Sequence, residues 1–297
     1  MLQQLVDALV LASIYTLFSI GMSLAWGALG ILNFAHGTIF VTAAFAAHLV
    51  AAQVAISLPV ALLVGALTGG LVSLLLQVLI FAPIRRRARD DGQMEMQVLI
   101  ASIGVGTILT AIVAEATGSQ AFSIATGFTQ SMLEFGGLRA TDLQVVIVVV
   151  GAVVGIALGL WITRTRGGRA LRAVAANSEV ASLMAIDSRR VAGATMFTAG
   201  VLVGLAGVLL ASYQGATDVY AGSRLLTTAF AIIIIGGVGS LTGTLAGALI
   251  LAVLETVLAY NTSGVWTPAI SFALIIFVLL LRPQGLFASS RTAVDRV

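Results

Sequence analysis

The side chains able to do chemistry in this 297-residue chain are few. There are two histidines, twelve carboxylates and fifteen basic residues, all of them arginine, with no cysteine and no lysine. That inventory excludes several functions. Without cysteine there is neither a disulfide framework nor a thiolate metal site. Two histidines outside any H-E-x-x-H pattern give no zinc-protease signature, and the serines lack a His/Asp partner set for a nucleophilic triad. A P-loop sets a lysine against the nucleotide phosphates, so in any ATP-driven process the ATP and magnesium must sit on another subunit. The chain is therefore read as no enzyme, with no cofactor of its own.

Strongly polar groups inside apolar runs are costly in hydrocarbon and point to function. Asn33 and His36, followed by Gly37, fall where the first hydrophobic unit breaks, and Glu255 lies within the apolar run 243–260. These four positions can line a translocation pathway or gate. The alternatives are that His36 bonds a nearby backbone group and that Glu255 pairs with a neighbouring helix or reaches the interface. Glu115 and His48 fall near helix ends and read as interfacial.

The segment 164–190, RTRGGRALRAVAANSEVASLMAIDSRR, is the other concentration of signal. Gly167 and Gly168 are expected to break a preceding helix. Arg169 to Ala176 then reads as a short helix with Leu171, Val174 and Ala175 on one face. Asn177 or Ser178 can cap a second short helix with Glu179 in its first turn, where Val180, Leu183 and Met184 repeat the spacing. Two such amphipathic helices either lie on anionic headgroups or dock a cytoplasmic protein. Small residues such as Ala170, Ala173 and Ala181 favour close insertion into a groove.

The elements that must position these groups are membrane helices. Hydrophobic residues make up 59% of the chain and charged residues 9%, whereas a soluble domain carries about 25% charged residues. With a mean hydropathy of +1.10, lipid must cover most of the surface. Apolar runs at 5–26, 38–54, 58–82, 97–116, 143–163, 191–213, 225–238, 243–260 and 266–281 predict an all-α, polytopic integral membrane bundle of 8–9 segments. Glycine-rich stretches within 30–54 and 225–247 allow broken or re-entrant helices. The run 5–26 lacks a basic leader and a cleavage site, so it reads as a retained first helix. The whole chain, 1–297, reads as one transmembrane domain.

Thirteen of the fifteen arginines fall in 85–89, 164–190 and 282–296. The positive-inside rule makes these segments cytoplasmic, with the C-terminus inside and, for nine crossings, the N-terminus outside. Loop 117–142 is then external, as are Arg139 and Arg224. Trp26 and Trp161 fall at inner ends, and Tyr213, Tyr220, Tyr260 and Trp266 at outer ends. The net charge of +3 sits in patches at helix ends and is no nucleic-acid signature. Glycines four apart form packing grooves: Gly151, Gly155 and Gly159; Gly200 and Gly204; Gly239, Gly243 and Gly247. The helices ending FAPIRRR (81–87) and LLRPQGLF (280–287) are a candidate internal repeat.

Four motifs carry a family resemblance. They are Asn33-Phe34-Ala35-His36-Gly37; Gly168-Arg169-Ala170-Leu171-Arg172-Ala173 with Asn177 and Ala181 to Ile186; Gly236-Gly237-Val238-Gly239-Ser240 with Gly243 and Gly247; and Arg282-Pro283-Gln284-Gly285-Leu286. Together, in order along nearly the whole chain, they resemble permease subunits of branched-chain amino acid ABC importers, the H type rather than the longer M type. Ala185 stands where that family has glycine, which puts the bend there in question. Importers of urea and short amides share the motifs. The resemblance implies an alternating-access importer in the bacterial inner membrane. It would contain a second, homologous permease, two cytoplasmic ATPase subunits and a periplasmic solute-binding protein. Residues Gly168, Arg169, Arg172, Ala173, Asn177, Glu179, Ala181 and Ile186 would form its ATPase-coupling element. A stand-alone secondary transporter or channel, and an intramembrane enzyme, are the competing readings.

Overall fold

The computed structural model describes residues 2–126, 131–135, 138–261, 267–282 and 285. Trp266, Pro283, Gln284, Leu286, Arg291 and Arg296 lie outside the described residues. Among these residues twelve α-helices follow in order: α1 Leu2–Leu29, α2 His36–Gln53, α3 Leu58–Leu76, α4 Ala82–Arg87, α5 Asp91–Thr117, α6 Asp142–Arg164, α7 Arg166–Ala176, α8 Ser178–Leu183, α9 Ser188–Gln214, α10 Ala221–Gly236, α11 Leu241–Asn261 and α12 Thr267–Leu281. A π-helical turn, Gln77–Phe81, joins α3 to α4 without a break. Among the described residues six helices are long and apolar enough to cross a membrane: α1, α3 with α4, α5, α6, α9 and α11. The other three apolar runs of the sequence fall on α2, α10 and α12, which are shorter.

The all-helical expectation has one exception. Within loop 117–142, β1 (Met132–Phe135) and β2 (Leu138–Thr141) form an antiparallel hairpin. Four-residue strands are too short to leave an alternating pattern against a polar loop. The hairpin leads directly into α6, where Thr141 and Gln144 form a reciprocal capping box (Gln144 N to Thr141 Oγ1, 3.2 Å; Thr141 N to Gln144 Oε1, 2.9 Å).

Side-chain contacts fix the helix directions. Ser23 meets Thr244 at 3.2 Å, Tyr15 meets Glu255 at 2.6 Å and Asp7 meets Tyr260 at 2.6 Å, so α1 and α11 are antiparallel. Asp7 also accepts from Gln144 at 3.0 Å, and Ser13 packs against Gly151, so α1 and α6 run the same way. The Arg85 guanidinium donates to the Leu29 carbonyl at 2.7 Å, which puts the end of α1 at the arginine-rich end of the bundle.

Two helices do not run the full height. His36 opens α2 beside Phe18 and Gly21, the middle of α1, and Thr38 faces Gly106, the middle of α5. The irregular stretch 30–35 carries the chain to that depth. Its exposed-backbone problem is solved locally, as membrane depth requires. The Ala35 N–H donates to Asn33 Oδ1 at 3.0 Å and the Phe34 N–H to Ser102 Oγ at 3.1 Å. Helix α10 begins against the same point: Gly222 abuts Gly37 so closely that a Cβ on either would overlap the other's carbonyl. From there α10 runs toward the arginine-rich end, where Gly239 meets Gly27. Thus α1–α2–α3 and α9–α10–α11 are built alike and run oppositely. Helix α3 packs on α9 as α11 packs on α1, and the two half-height helices touch at their N-termini. The repeat in the fold therefore matches α3 with α11. The Pro-Arg helix ends that pair α3 with α12 in the sequence are shared helix-stop chemistry.

Glycine grooves set the packing. Gly65 and Gly69 of α3 interlock with Gly200 and Gly204 of α9, and Gly243 and Gly247 of α11 lie against Gly236 and Ile232 of α10. Gly239 departs from the expected stripe: it sits in the turn between helices at φ +76°. Gly155 and Gly159 meet only side chains, Leu245 and Leu241, at 4.0 and 3.5 Å. A leucine at Gly243 would overlap the Gly236 backbone, which has no rotamer to yield. Gly243→Leu is expected to cut the yield of folded protein at least tenfold in size-exclusion of detergent extracts, whereas Gly155→Ala should leave it unchanged.

Candidate functional site: a coupling element and a membrane cavity

The arginine-rich segment 164–190 folds as two short helices, with the break at Thr165, two residues earlier than expected. Helix α6 ends at Arg164, and Thr165, in extended conformation, caps α7 by accepting from the Gly168 N–H at 3.1 Å. Gly168 thus lies inside the first turn of α7, pressed on the carbonyls of Trp161 and Ile162. The break needs a β-region cap residue, which threonine supplies. The Arg172 guanidinium donates back to the Ile162 carbonyl.

The two amphipathic faces meet different fates. In α7, Gly168, Leu171 and Val174 are buried against the bundle, Ala173 is half-buried, and Arg169, Arg172 and Ala175 are exposed. In α8 only Ala181 is buried. Val180, Leu183 and Met184 are 55, 84 and 75% exposed. Of the two possible caps, Asn177 does the work: its Oδ1 accepts from the Glu179 and Val180 N–H groups, both at 3.0 Å. Glu179 is exposed in the first turn.

Helix α8 ends in a Schellman arrangement. Ile186 N–H donates to Ala181 O at 3.1 Å, Ala185 N–H to Ser182 O at 3.1 Å, and Ala185 takes φ +59°. The bend is kept although glycine is absent. Ala185→Val should break it, because a β-branched residue is an outlier at positive φ. Limited proteolysis of the detergent-solubilised protein is expected to cut segment 164–190 severalfold faster in Ala185→Val and no faster in Ala185→Gly.

The second site is inside the bundle. A cavity of about 390 Å³ lies among α1, α9, α10, α11 and α12, and its walls include Tyr15, Leu210, Arg224, Thr228, Glu255 and Phe272. Tyr15 (8% exposed) donates to Glu255 (7% exposed). Arg224, expected in a loop, is in the first turn of α10 and pairs with Asp218 at 2.7 Å.

Of the pathway candidates, Glu255 alone lines this cavity. His36 is 1% exposed, its Nε2 3.1 Å from the Phe18 carbonyl and its ring edge-on to Phe18. Asn33 is 2% exposed and holds the re-entrant turn, with its Nδ2 unpartnered. Gly37 is the contact point for Gly222. Sequence reasoning missed Tyr15, Thr228 and the role of Arg224. The run Ser223-Arg224-Leu225-Leu226-Thr227-Thr228, polar at helical spacing just before four isoleucines, was the available signal. Ser223, Arg224 and Thr227 form an exposed polar stripe on α10, a surface that hydrocarbon cannot solvate cheaply. Among the described residues no group of three or more metal-ligating side chains occurs.

A multi-pass helical bundle, a cavity with a few polar groups set in a mostly apolar wall and an apolar helix bared at the arginine-rich end define an integral membrane transport protein. The family model described as "Branched-chain amino acid transport system / permease component" matches residues 4–279, and the chain belongs to that family. It is 29% identical over its whole length to the high-affinity branched-chain amino acid transport system permease protein LivH of Salmonella typhimurium, covering 97% of that protein. It is equally 29% identical over its whole length to the permease protein BraD of Pseudomonas aeruginosa, covering 98%. Over 94% of the chain it is 28% identical to the probable LivH of Methanocaldococcus jannaschii, covering 90% of it. No solved structure matches the chain.

Proposed function

We propose that this permease imports branched-chain amino acids by alternating access, as one of two homologous membrane subunits driven by two cytoplasmic ATPases and fed by a periplasmic binding protein. The single observation that carries the reading is the bared apolar face of α8 (Val180, Leu183, Met184) in a chain without lysine. A surface of that kind wants a protein groove, and the engine must come from elsewhere. ATP binding closes the ATPase pair and pushes on α8. Rigid α7, seated by Leu171 and Val174, passes the motion to α1, α6 and α9, which it contacts. Arg169, Arg172, Ala173, Glu179 and Ile186 flank the contact, and Gly168, Asn177 and Ala181 hold its shape. Asn33, His36 and Gly37 anchor the half-height helix, and Glu255 faces the pathway.

The chain crosses the bacterial inner membrane nine times in this reading, counting α2 with 30–35, α10 with 215–220, and α12. The N-terminus is outside and the C-terminus cytoplasmic. The polar stripe of α10 meets the second permease and the solute path. Proteoliposomes holding the co-purified complex should accumulate leucine only with internal ATP and the binding protein. Accumulation by this chain alone, without ATP, would establish the stand-alone transporter instead.

A further inference from the structure

We propose that segment 119–126 is the clip of the outer gate: it holds the connection 215–220 closed across the outer end of the membrane cavity, and solute enters from outside only when the two part. The inference rests on the importer reading and deepens it, since alternating access requires an outer closure and no element has yet been given that part.

After α5 two successive left-handed residues, Gly118 and Ser119, both at φ +59°, turn the chain back over the bundle. The strap that follows is moored to α2 and the turn before α3. The Ser123 carbonyl lies 2.6 Å from His48 Nδ1. The Phe122 ring packs edge-on against Phe45 at 5.5 Å and beside His48 at 5.3 Å. Thr126 pairs with Ile56. Phe122 and Ile124 are thereby buried although they belong to a loop. On its other side the strap meets the connection from α9 to α10. Phe122 and Thr217 exchange both backbone hydrogen bonds, each 2.9 Å, as an antiparallel bridge. That connection borders the cavity: Gln214 before it and Ala221 after it both line the wall. Residues 215–220 therefore cross the cavity's rim, at the outer end of α9.

The joint is built to open. Where α10 meets α2 and α11, glycine backbones are pressed together and part only if a helix moves. Between strap and rim one residue pair supplies two hydrogen bonds, and water at the outer surface can replace both. The rim also has a hinge. Gly215 ends α9 at φ +77°, in space so open that a Cβ there would meet nothing within 4 Å. Lids commonly turn on a few residues at element ends. The strap, fastened to α2, α5 and the turn before α3, is the fixed jaw, and 215–220 is the moving one. Asp218, one residue beyond the clip, pairs with Arg224 of α10 at 2.7 Å. Release of Thr217 is thus passed to the polar stripe of α10.

The chain has no cysteine, so a pair can be introduced without a background thiol in this subunit. Opposite residues of a hydrogen-bonded antiparallel pair have Cα atoms about 5.5 Å apart, within the span of a disulfide. Phe122→Cys combined with Thr217→Cys should cross-link on oxidation of the complete, nucleotide-free complex, with the linked peptides identified by mass spectrometry. In proteoliposomes with internal ATP, external binding protein and radiolabelled leucine, the cross-linked complex should take up leucine at least tenfold more slowly than the reduced one. Dithiothreitol should restore the rate to within twofold, and neither single-cysteine variant should respond to oxidation. A second measurement uses the wild-type complex and carries the test alone if the double variant does not assemble. Hydrogen–deuterium exchange in peptides covering 119–126 and 215–220 should quicken at least tenfold when a non-hydrolysable ATP analogue (AMP-PNP) and leucine-loaded binding protein are added. Failure of the two cysteines to cross-link in the assembled complex, uptake by the cross-linked complex within twofold of the reduced one, or exchange unchanged by nucleotide and binding protein would each overturn the proposal. Failure of the wild-type complex to take up any amino acid with ATP and binding protein would instead overturn the importer reading.

Discussion

Leu183→Asp is expected to abolish ATP-driven uptake while leaving the permease folded and in the membrane. Leu183 is 84% exposed, so the substitution removes no contact within this chain. Its cost falls entirely on the complex. Burying a leucine in a partner's groove contributes roughly 1.5–3 kcal/mol, and an aspartate there adds an unpaired charge to desolvate. A large apolar residue at the centre of a docking interface behaves as a hot spot, with a loss of at least about 2 kcal/mol on truncation, which is about thirtyfold in affinity. Met184→Asp, at 75% exposure, should act in the same way. Glu179→Arg tests the polar edge: it puts a positive charge in the first turn of α8, against the dipole, and reverses the sign presented to the ATPase. Co-purification of the ATPase subunits, solute-stimulated ATP hydrolysis and uptake are the three readouts. Wild-type values of all three for Leu183→Asp would mean that α8 lies on lipid headgroups, the other fate open to an amphipathic helix.

Much of this was legible from residue order alone. Each of the nine apolar runs falls on a helix, because length and hydropathy are what a bilayer demands. Asn177 was recognisable as a cap because its side chain competes for backbone N–H groups next to an apolar repeat. Depth was not legible. Hydropathy counts apolar residues without saying where in the membrane they start, so α2 and α10 read like their full-height neighbours. The glycines at 37 and 222 looked like many others; only the fold shows that they face each other across the bundle. The partner of Glu255 was equally hidden, since Tyr15 is 240 residues away. Arg224 was misassigned for a related reason: an arginine weighs against membrane burial in any sequence window, yet its helix begins at Ala221. The glycine pair at 167–168 suggested the helix break, whereas a capping threonine made it and left Gly168 for close packing on the Trp161 carbonyl.

The contact between the half-height helices makes the heaviest demand on the sequence. Gly222→Leu is expected to eliminate folded protein from the membrane, a larger effect than any other single substitution discussed. At most overpacked positions a side chain rotates away, and the cost is about 1–3 kcal/mol. Here the obstacle to a Cβ on Gly222 is the backbone of Gly37, and backbone yields only by moving a helix. Moving α2 away from α10 strips cover from the irregular stretch 30–35, where Asn33 and Ala35 are 2 and 0% exposed. Each backbone group left unsatisfied at that depth costs several kcal/mol, so a small steric change becomes a failure of the whole junction. Gly37→Leu should reproduce the defect from the other side. Gly104→Leu is the control: it lies in a membrane helix, and a Cβ there meets nothing within 4 Å. Membrane yield, detergent-extract size exclusion and thermal unfolding of the three variants decide the matter. Wild-type yield and melting temperature for Gly222→Leu would mean that the two helix starts stand apart and that the two oppositely directed units do not share this hinge.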